Sequence, residues 1–266
     1  MTKIGVVGNG VVGGAMARCW MEHASVRIYD KDPARRTHSI VEALEGDVVF
    51  VCLPTPRARQ GLAADLTAVD GFFKEHRGTT FNFVLRSTVP VGTTARLRKE
   101  YDLPNLVHSP EFLTARAAAV DAQTPSRNII GGEECRCFTT LRQLYRERFP
   151  GITTHLMSSD ESEAVKLILN AFFAVKVGFF NEARQLCDSY GMDWDVVLRG
   201  VLSDGRIAYS HTRVPGPDGR RGWGGDCLPK DLCSFMDCLD RAGGKAMITL
   251  AAHLRNGMDR ESTWKT

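Results

Sequence analysis

No stretch of this sequence is apolar for long enough to cross a bilayer. The longest such run, Ala171 to Phe180, is broken by Lys176 and falls well short of the ~20 residues a spanning helix needs. No membrane partner is expected. Nor does one sign of charge dominate: 34 Lys and Arg stand against 31 Asp and Glu, interspersed, for a net charge of +3. That balance gives no argument for nucleic acid or a membrane as partner, and neither is expected. Paired-cysteine spacing is missing too. Cys19, Cys52, Cys135, Cys137, Cys187, Cys227, Cys233 and Cys238 are scattered along the chain, and the one close pair, Cys135-Arg136-Cys137, has no His or Cys companion nearby. Neither a disulfide scaffold nor a metal site is expected, and reduced thiols in a cytoplasmic setting fit this usage. Repeats and low-complexity tracts are absent. The N-terminus lacks a small-residue cleavage pattern and reads as a first strand and turn rather than a signal peptide.

What is present is enough apolar residue, 43% of 266, for one large or two modest cores. Lys3 to Val7 is a β-rich run that opens into Gly8-Asn9-Gly10-Val11-Val12-Gly13, followed by a helical pattern from Val11 to Glu22. In that setting the first glycine makes the tight turn, the second admits a pyrophosphate and the third lets helix pack on strand. The next strand, Val26 to Tyr29, ends in Asp30, about 20 residues on, where an acid can bond the ribose hydroxyls of NAD. Arg35 and Arg36 could instead meet the 2′-phosphate of NADP. Strands are further expected over Asp47–Cys52, Thr80–Leu85, Leu106–His108, Asn128–Gly131 and Thr153–His155, with helices over Asp65–His76 and Glu133–Arg148. The loops Leu53-Pro54-Thr55-Pro56 and Arg86-Ser87-Thr88-Val89-Pro90 fall at strand ends, where doubly wound sheets bind ligands. Thr88 there is either a turn former or a contact to cofactor or substrate. Glu111, in Pro110-Glu111-Phe112-Leu113, is either a base that orders water or an acid at a helix start.

From Ser158 to Tyr190 no proline intervenes and apolar residues recur at helical spacing, so one long helix is expected. A helix of that length normally has another helix, or another subunit, along its side. Within it Lys166 and Asn170 share a face, being four residues apart. Such a pair can polarise a hydroxyl or stabilise an oxyanion, although a helical lysine is often only solvated. A shorter helix, Asp193–Val201, precedes an arginine-rich loop carrying Arg206, Arg213, Arg220 and Arg221, suited to an anion. Next comes Gly222-Trp223-Gly224-Gly225-Asp226-Cys227-Leu228-Pro229-Lys230-Asp231. A thiol beside a lysine at the start of a helix can be held partly as thiolate and serve as nucleophile; a buried structural cysteine is the alternative. Asp231–Arg241 and Ala246–Arg260 end the chain as helices. The fold class is therefore α/β: a Rossmann-type doubly wound sheet over residues 1–157, then an all-helical domain over 158–266 built on one long central helix.

With the glycine motif, the Thr88 turn, Pro110-Glu111-Phe112-Leu113, Lys166 with Asn170, Asp204-Gly205-Arg206-Ile207 and the Cys227 stretch in this order, the chain resembles the UDP-glucose/GDP-mannose dehydrogenase family. The resemblance implies two successive oxidations of the C6 alcohol of a nucleotide sugar to the carboxylate, with NAD as cofactor. It implies that Cys227 captures the aldehyde as a thiohemiacetal, which the second oxidation turns into a thioester. Lys166 and Asn170 would stabilise oxyanions, Asp231 with Thr88 would place a water, and Glu111 would bear on that water and on thioester hydrolysis. Gly8 to Gly13, Asp30, Lys31, Leu53, Pro54, Thr55, Ser87, Thr88 and Lys230 would contact the cofactor. Glu111, Phe112, Leu113, Lys166, Asn170, Arg206 and Gly224 would contact the sugar nucleotide. Arg206 would reach the neighbouring subunit's substrate, in a homodimer built on the long helix. Family members carry a further nucleotide-binding domain, so a separate C-terminal-type domain is a further expected partner. Two alternatives stand beside this reading: a cofactor-binding short or split homologue that needs that domain for activity, and a two-electron β-hydroxyacid-type dehydrogenase.

Overall fold

The computed structural model describes residues 1–58, 61–114 and 116–260. These form two compact units, one of Met1–Ala58 with Ala64–Lys166 and one of residues 61–63 with 167–260.

The first unit alternates strand and helix: β1 (Lys3–Val7), α1 (Val11–Trp20), β2 (Ser25–Tyr29), α2 (Ile40–Leu44), β3 (Val48–Val51), α3 (Thr67–Glu75), β4 (Phe83–Leu85), α4 (Thr93–Glu100), β5 (Leu106–His108), α5 (Ala118–Gln123), β6 (Asn128–Gly131), α6 (Arg136–Arg148) and β7 (Thr154–Met157). Among the described residues the strands form one seven-stranded sheet in the order β2-β1-β3-β4-β5-β6-β7. Every pairing is parallel except that of β5 with β6. The strands are short and apolar throughout because both faces are covered. Ile4, Val6, Val48, Phe50, Val84 and Val107 turn toward α1, α5 and α6, while Val7, Val49, Val51, Phe83, Leu85 and Leu106 turn toward α3 and α4. The order in which successive strands are added reverses between β1 and β3, the switch point at which such sheets bind ligands.

Three helices of this unit, α2, α4 and α5, are not evident from sequence periodicity. Helix α2 is a single capped turn and a half, with Ser39 and Glu42 forming a reciprocal capping box. Helix α4, mostly polar, has its start stabilised from elsewhere in the chain. Its N-cap, Gly92, has φ 88° and offers no side chain; Glu163 instead accepts from Gly92 N at 2.7 Å, Thr94 N at 2.8 Å and Thr94 Oγ1 at 2.6 Å.

Glu163 lies on α7 (Ser159–Ser189), the long helix expected from the sequence, 31 residues in length. Its first two turns belong to the first unit, so the division by contacts falls after Lys166 rather than at the helix start. The reason is close packing: Ser162 is fully buried, and a Cβ added to Gly131 would lie 2.0 Å from Ser162 Oγ. The rest of α7 belongs to the second unit with α8 (Trp194–Leu202), α9 (Cys227–Arg241) and α10 (Met247–Asp259). Ala171, Ala174, Trp223, Leu232, Cys233, Met236 and Ala252 make one core of that unit, and Phe180, Cys187, Trp194, Leu198 and Val214 another. Helix α9 starts four residues earlier than the expected Asp231. Pro229 falls in its first turn, where the missing N–H has no intrahelical partner to lose. No helix among the described residues is long and apolar enough to cross a membrane.

Candidate active site

In the first unit the chain leaves β1 through Gly8, whose φ of 91° only glycine adopts freely. A Cβ on Gly8 would lie 2.6 Å from Cys52 O, and one on Gly13 would lie 1.8 Å from Gly8 O, whereas Gly10 has open space around it. Helix α1 follows with no side-chain cap and no acid in its first turn. Its leading N–H groups, on Val11, Val12 and Gly13, are thus left to an anion, for which the positive end of the helix is suited. Asp30, just past β2, accepts from Asn9 N at 2.7 Å and Asp32 N at 2.9 Å. Those bonds hold its carboxylate beside the glycine turn, where ribose hydroxyls would meet it. Lys31 next to it is exposed. Arg35, a candidate for a 2′-phosphate, is paired with Asp32 at 3.4 Å.

The loops after β3 and β4 are tied together. Ser87 Oγ donates to Leu53 O at 2.6 Å and Thr55 Oγ1 donates to Thr88 O at 2.7 Å. Thr55, Ser87 and Thr88 are buried, and Pro54 is exposed. After β5, Glu111 accepts from Lys166 Nζ at 2.9 Å and from Leu113 N at 2.6 Å. The two charged side chains are only 8% and 5% exposed. Phe112 sits between two cations, with Lys166 Nζ 5.5 Å and Arg127 Cζ 4.1 Å from its ring centre. Glu111 is thus neither a helix-start acid nor a solvated side chain. It is the counter-ion of Lys166, which itself is not a surface lysine.

In the second unit Cys227 is exposed and is the first residue of α9. One turn on, Asp231 is almost wholly buried; it accepts from Asn170 Nδ2 at 2.5 Å and is paired with Lys230 Nζ. Asn170 and Lys166, four apart on α7, therefore serve different acids. The loop that leads into Cys227 is fastened by three residues the sequence reading did not single out. Asn181 Oδ1 accepts from Gly222 N at 3.0 Å. Asn256 Oδ1 accepts from Trp223 N at 2.7 Å while its Nδ2 donates to Trp223 O at 3.0 Å. Arg260 Nε donates to Arg221 O at 2.6 Å, and a Cβ on Gly224 would lie 2.5 Å from Arg260 Nη1. A polar residue on the buried face of α10 is the signal that could have found Asn256, which is fully buried with Thr249 and Ala252. The arginine-rich loop is less available than expected, since acids already hold two of its members. Arg206, 86% exposed, folds back on Asp204, and Arg221 pairs with Asp188. Among the described residues no group of three or more His, Cys, Asp or Glu side chains is arranged to hold a metal ion.

A glycine turn at the switch point of a parallel sheet, an uncapped helix start and an acid after β2 together define a dinucleotide-binding Rossmann domain, here followed by a helical unit. Comparison with known proteins makes the class specific. The NAD binding domain of the UDP-glucose/GDP-mannose dehydrogenase family matches residues 34–149, and the central domain of the same family matches residues 160–257. The chain belongs to this family. It is 35% identical over 257 residues to a UDP-glucose 6-dehydrogenase of Pseudomonas aeruginosa, with 88% of this chain and 54% of that protein covered. Among solved structures it superposes on a UDP-glucose dehydrogenase from the archaeon Pyrobaculum islandicum with a TM-score of 0.82 at 26% identity, over 97% of this chain and 68% of the other. A Mycobacterium tuberculosis 3-hydroxyisobutyrate dehydrogenase shares the fold, with a TM-score of 0.72 at 22% identity over 97% of this chain and 93% of that one. The chain spans about half the length of the curated relatives it matches.

Proposed function

We propose that this chain provides the NAD-binding and catalytic parts of a nucleotide-sugar 6-dehydrogenase, which takes the C6 alcohol of a UDP-glucose-like substrate to the carboxylate. One observation carries the reading: an exposed cysteine opens α9, one turn ahead of a buried aspartate bonded by an asparagine and a lysine. The positive end of a helix favours an anion at that position, which suits a thiolate nucleophile. When bound, NAD accepts a hydride in each of the two oxidations. Cys227 adds to the aldehyde carbon, so that the sulfur–carbon bond holds the substrate between the oxidations. The second oxidation leaves a thioester, which water hydrolyses to release the carboxylate and restore the thiol. Lys166 and Asn170 stabilise the oxyanions, Asp231 and Thr88 order water, and Glu111 bears on hydrolysis while holding Lys166 in place. Gly8 to Gly13, Asp30 and Lys31, with Leu53 to Thr55, Ser87 and Lys230, contact the cofactor; Phe112, Leu113 and Gly224 contact the sugar nucleotide.

Association as a homodimer along α7 is supported by Ile168, Phe172, Phe179 and Leu186, each more than half exposed and recurring at helical spacing. Arg206 is the residue proposed to cross to the partner's substrate. The deciding experiment is the NADH yield per mole of nucleotide sugar, over a panel including UDP-glucose and GDP-mannose. Two NADH per sugar are expected, with Cys227→Ser stopping after the first oxidation or slowing severely. One NADH per substrate with indifference to Cys227→Ala would select a two-electron dehydrogenase instead. NAD binding without turnover, restored by adding a separate C-terminal-type domain, would select a split enzyme.

A further inference from the structure

Between Leu202, the last residue of α8, and Cys227, the first of α9, the chain has neither helix nor strand. Connections of that length are uncommon unless they carry function. Arg206 stands near the start of this one, exposed and paired with Asp204 two residues back. A surface pair of that kind fixes little. Among the described residues no backbone–backbone hydrogen bond involves any residue from Arg206 to Val214. Side chains hold the segment instead. Lys176 Nζ, on α7, donates to Ala208 O at 2.6 Å. Phe173, three residues earlier on the same helix, stacks face to face on His211, with ring centres 4.1 Å apart and planes within 5° of parallel. Ile207 and Val214 pack into the core around Phe180, Trp194 and Leu198. Thr212 Oγ1 donates to Tyr209 O at 2.7 Å.

His211 adopts φ 63°, a left-handed conformation that is unfavourable for a residue with a Cβ and persists only where the surroundings impose it. The stack on Phe173 is what imposes it here. Lys176 is likewise no solvated surface lysine: it is half-buried, and burial holds its ammonium below the ordinary lysine range. Phe173, Lys176 and Phe180 follow one another at three and four residues and so share a face of α7. Lys176 also comes four residues after Phe172 and three before Phe179, both more than half exposed, so it borders the apolar stripe offered above as the dimer face. Arg206 is two residues from Ala208, at most about 7 Å along the chain. The anchor on Ala208 O therefore keeps this arginine beside the stripe on which a second copy would pack.

We propose that Lys176 is a positioning residue: by holding Ala208 O, with the Phe173 and His211 stack, it fixes the segment that aims Arg206 at the substrate of a partner copy. This rests on the reading of Arg206 given above. Misplacing a binding group by ~1 Å can cost about 100-fold, so loss of the anchor is felt in turnover although Lys176 does no chemistry itself. The test is a double-variant cycle on the whole protein, with a separate C-terminal-type domain added if turnover requires it, read as NADH formation from UDP-glucose. Arg206→Met should raise KM for UDP-glucose by about tenfold or more and leave KM for NAD within about twofold. Lys176→Met should show the same split. Lys176→Arg keeps a donor for Ala208 O and should return KM to within about twofold of the parent. The double variant should be no worse than Arg206→Met, because an anchor then has nothing left to aim. Trypsin gives a readout that needs no activity: cleavage after Arg206 should be about fivefold faster in Lys176→Met, since the held segment is released. If Lys176→Met does not fold, Lys176→Gln takes its place. A raised KM in Arg206→Met beside a parent-like Lys176→Met, KM losses that multiply in the double variant, or an unchanged cleavage rate overturns the positioning role alone. A parent-like Arg206→Met, or no turnover with the added domain present, overturns the Arg206 reading and the role of Lys176 with it.

Discussion

Removing Lys166 probes stability and function in one experiment. Unit charges 2.9 Å apart, as in Glu111–Lys166, attract by about 6 kcal/mol at an effective dielectric near 20. Desolvating two side chains that are 8% and 5% exposed consumes most of that attraction, so the intact pair is nearly neutral for stability. Breaking it is another matter. Lys166→Met leaves the Glu111 carboxylate buried with only the Leu113 N–H for company, and should cost about 3–5 kcal/mol. Near 2–4 °C per kcal/mol for a chain of this size, that lowers Tm by roughly 6–20 °C. The double variant Glu111→Gln/Lys166→Met removes both charges and should recover most of the loss. Thermal unfolding followed by circular dichroism reads all four corners of the cycle, and NADH formation should be lost in both lysine variants however stable they are. If Lys166→Met melts within 2 °C or so of the parent, or the double variant is as unstable as the single, the pair is not the buried, mutually dependent unit described above. If activity then returns with stability in the double variant, Lys166 has no chemical role.

Two further outcomes follow from buried polar groups. His108, fully buried and bonded through Nδ1 to Ser162 Oγ at 2.7 Å, is pushed by burial from 6.5 down to about 3. Between those values the unfolded chain binds the proton and the native one does not, so its contribution is whole above pH 6.5 and is lost as pH falls toward 3. At 1.36 kcal/mol per unit, up to about 4–5 kcal/mol of acid sensitivity should vanish in His108→Gln, seen as a flatter plot of Tm against pH. Glu163 acts with the opposite sign: burial raises it from 4.5 to about 7, so its share is whole below pH 4.5 and fades as pH rises through 7. Only the difference between parent and His108→Gln isolates the histidine. In Asn256→Ala, both backbone groups of Trp223 lose their partner; about 2–3 kcal/mol of stability should go. Cys227 should alkylate at a changed rate with iodoacetamide while NAD affinity stays put, and an unchanged rate would mean that Asn256 does not position the loop.

The parts legible in the sequence are those whose causes are local. The glycine turn and α1 were readable because each glycine answers a steric demand within a few residues, such as the 1.8 Å approach a Gly13 Cβ would make to Gly8 O. Helix α7 was readable to within a residue at either end, as a long proline-free periodic run. Helix α4 was not, since its cap comes from Glu163, some 69 residues away from Thr94. Helix α9 starts at Cys227 rather than at Asp231, since Pro229 in a first turn is tolerated.

The same division runs through the candidate site. Cys227, Lys166, Asn170, Asp231 and Glu111 could each be picked out by residue type and neighbours, but nothing in the chain order says which charge answers which. Glu111 and Lys166 are 55 residues apart, Asn170 and Asp231 are 61, and Trp223 and Asn256 are 33. By itself the sequence determined the elements, the cradle for a dinucleotide and the order of the motifs, because backbone geometry and periodicity act over a few residues. Only the tertiary structure decided that Lys166 is buried against an acid, that Asp231 is held by an amide, that the cysteine loop hangs from α10 and that Arg86 is buried on the hydroxyls of Ser109 and Tyr145. Those depend on which side chains are removed from water together, and burial is a property of the folded chain.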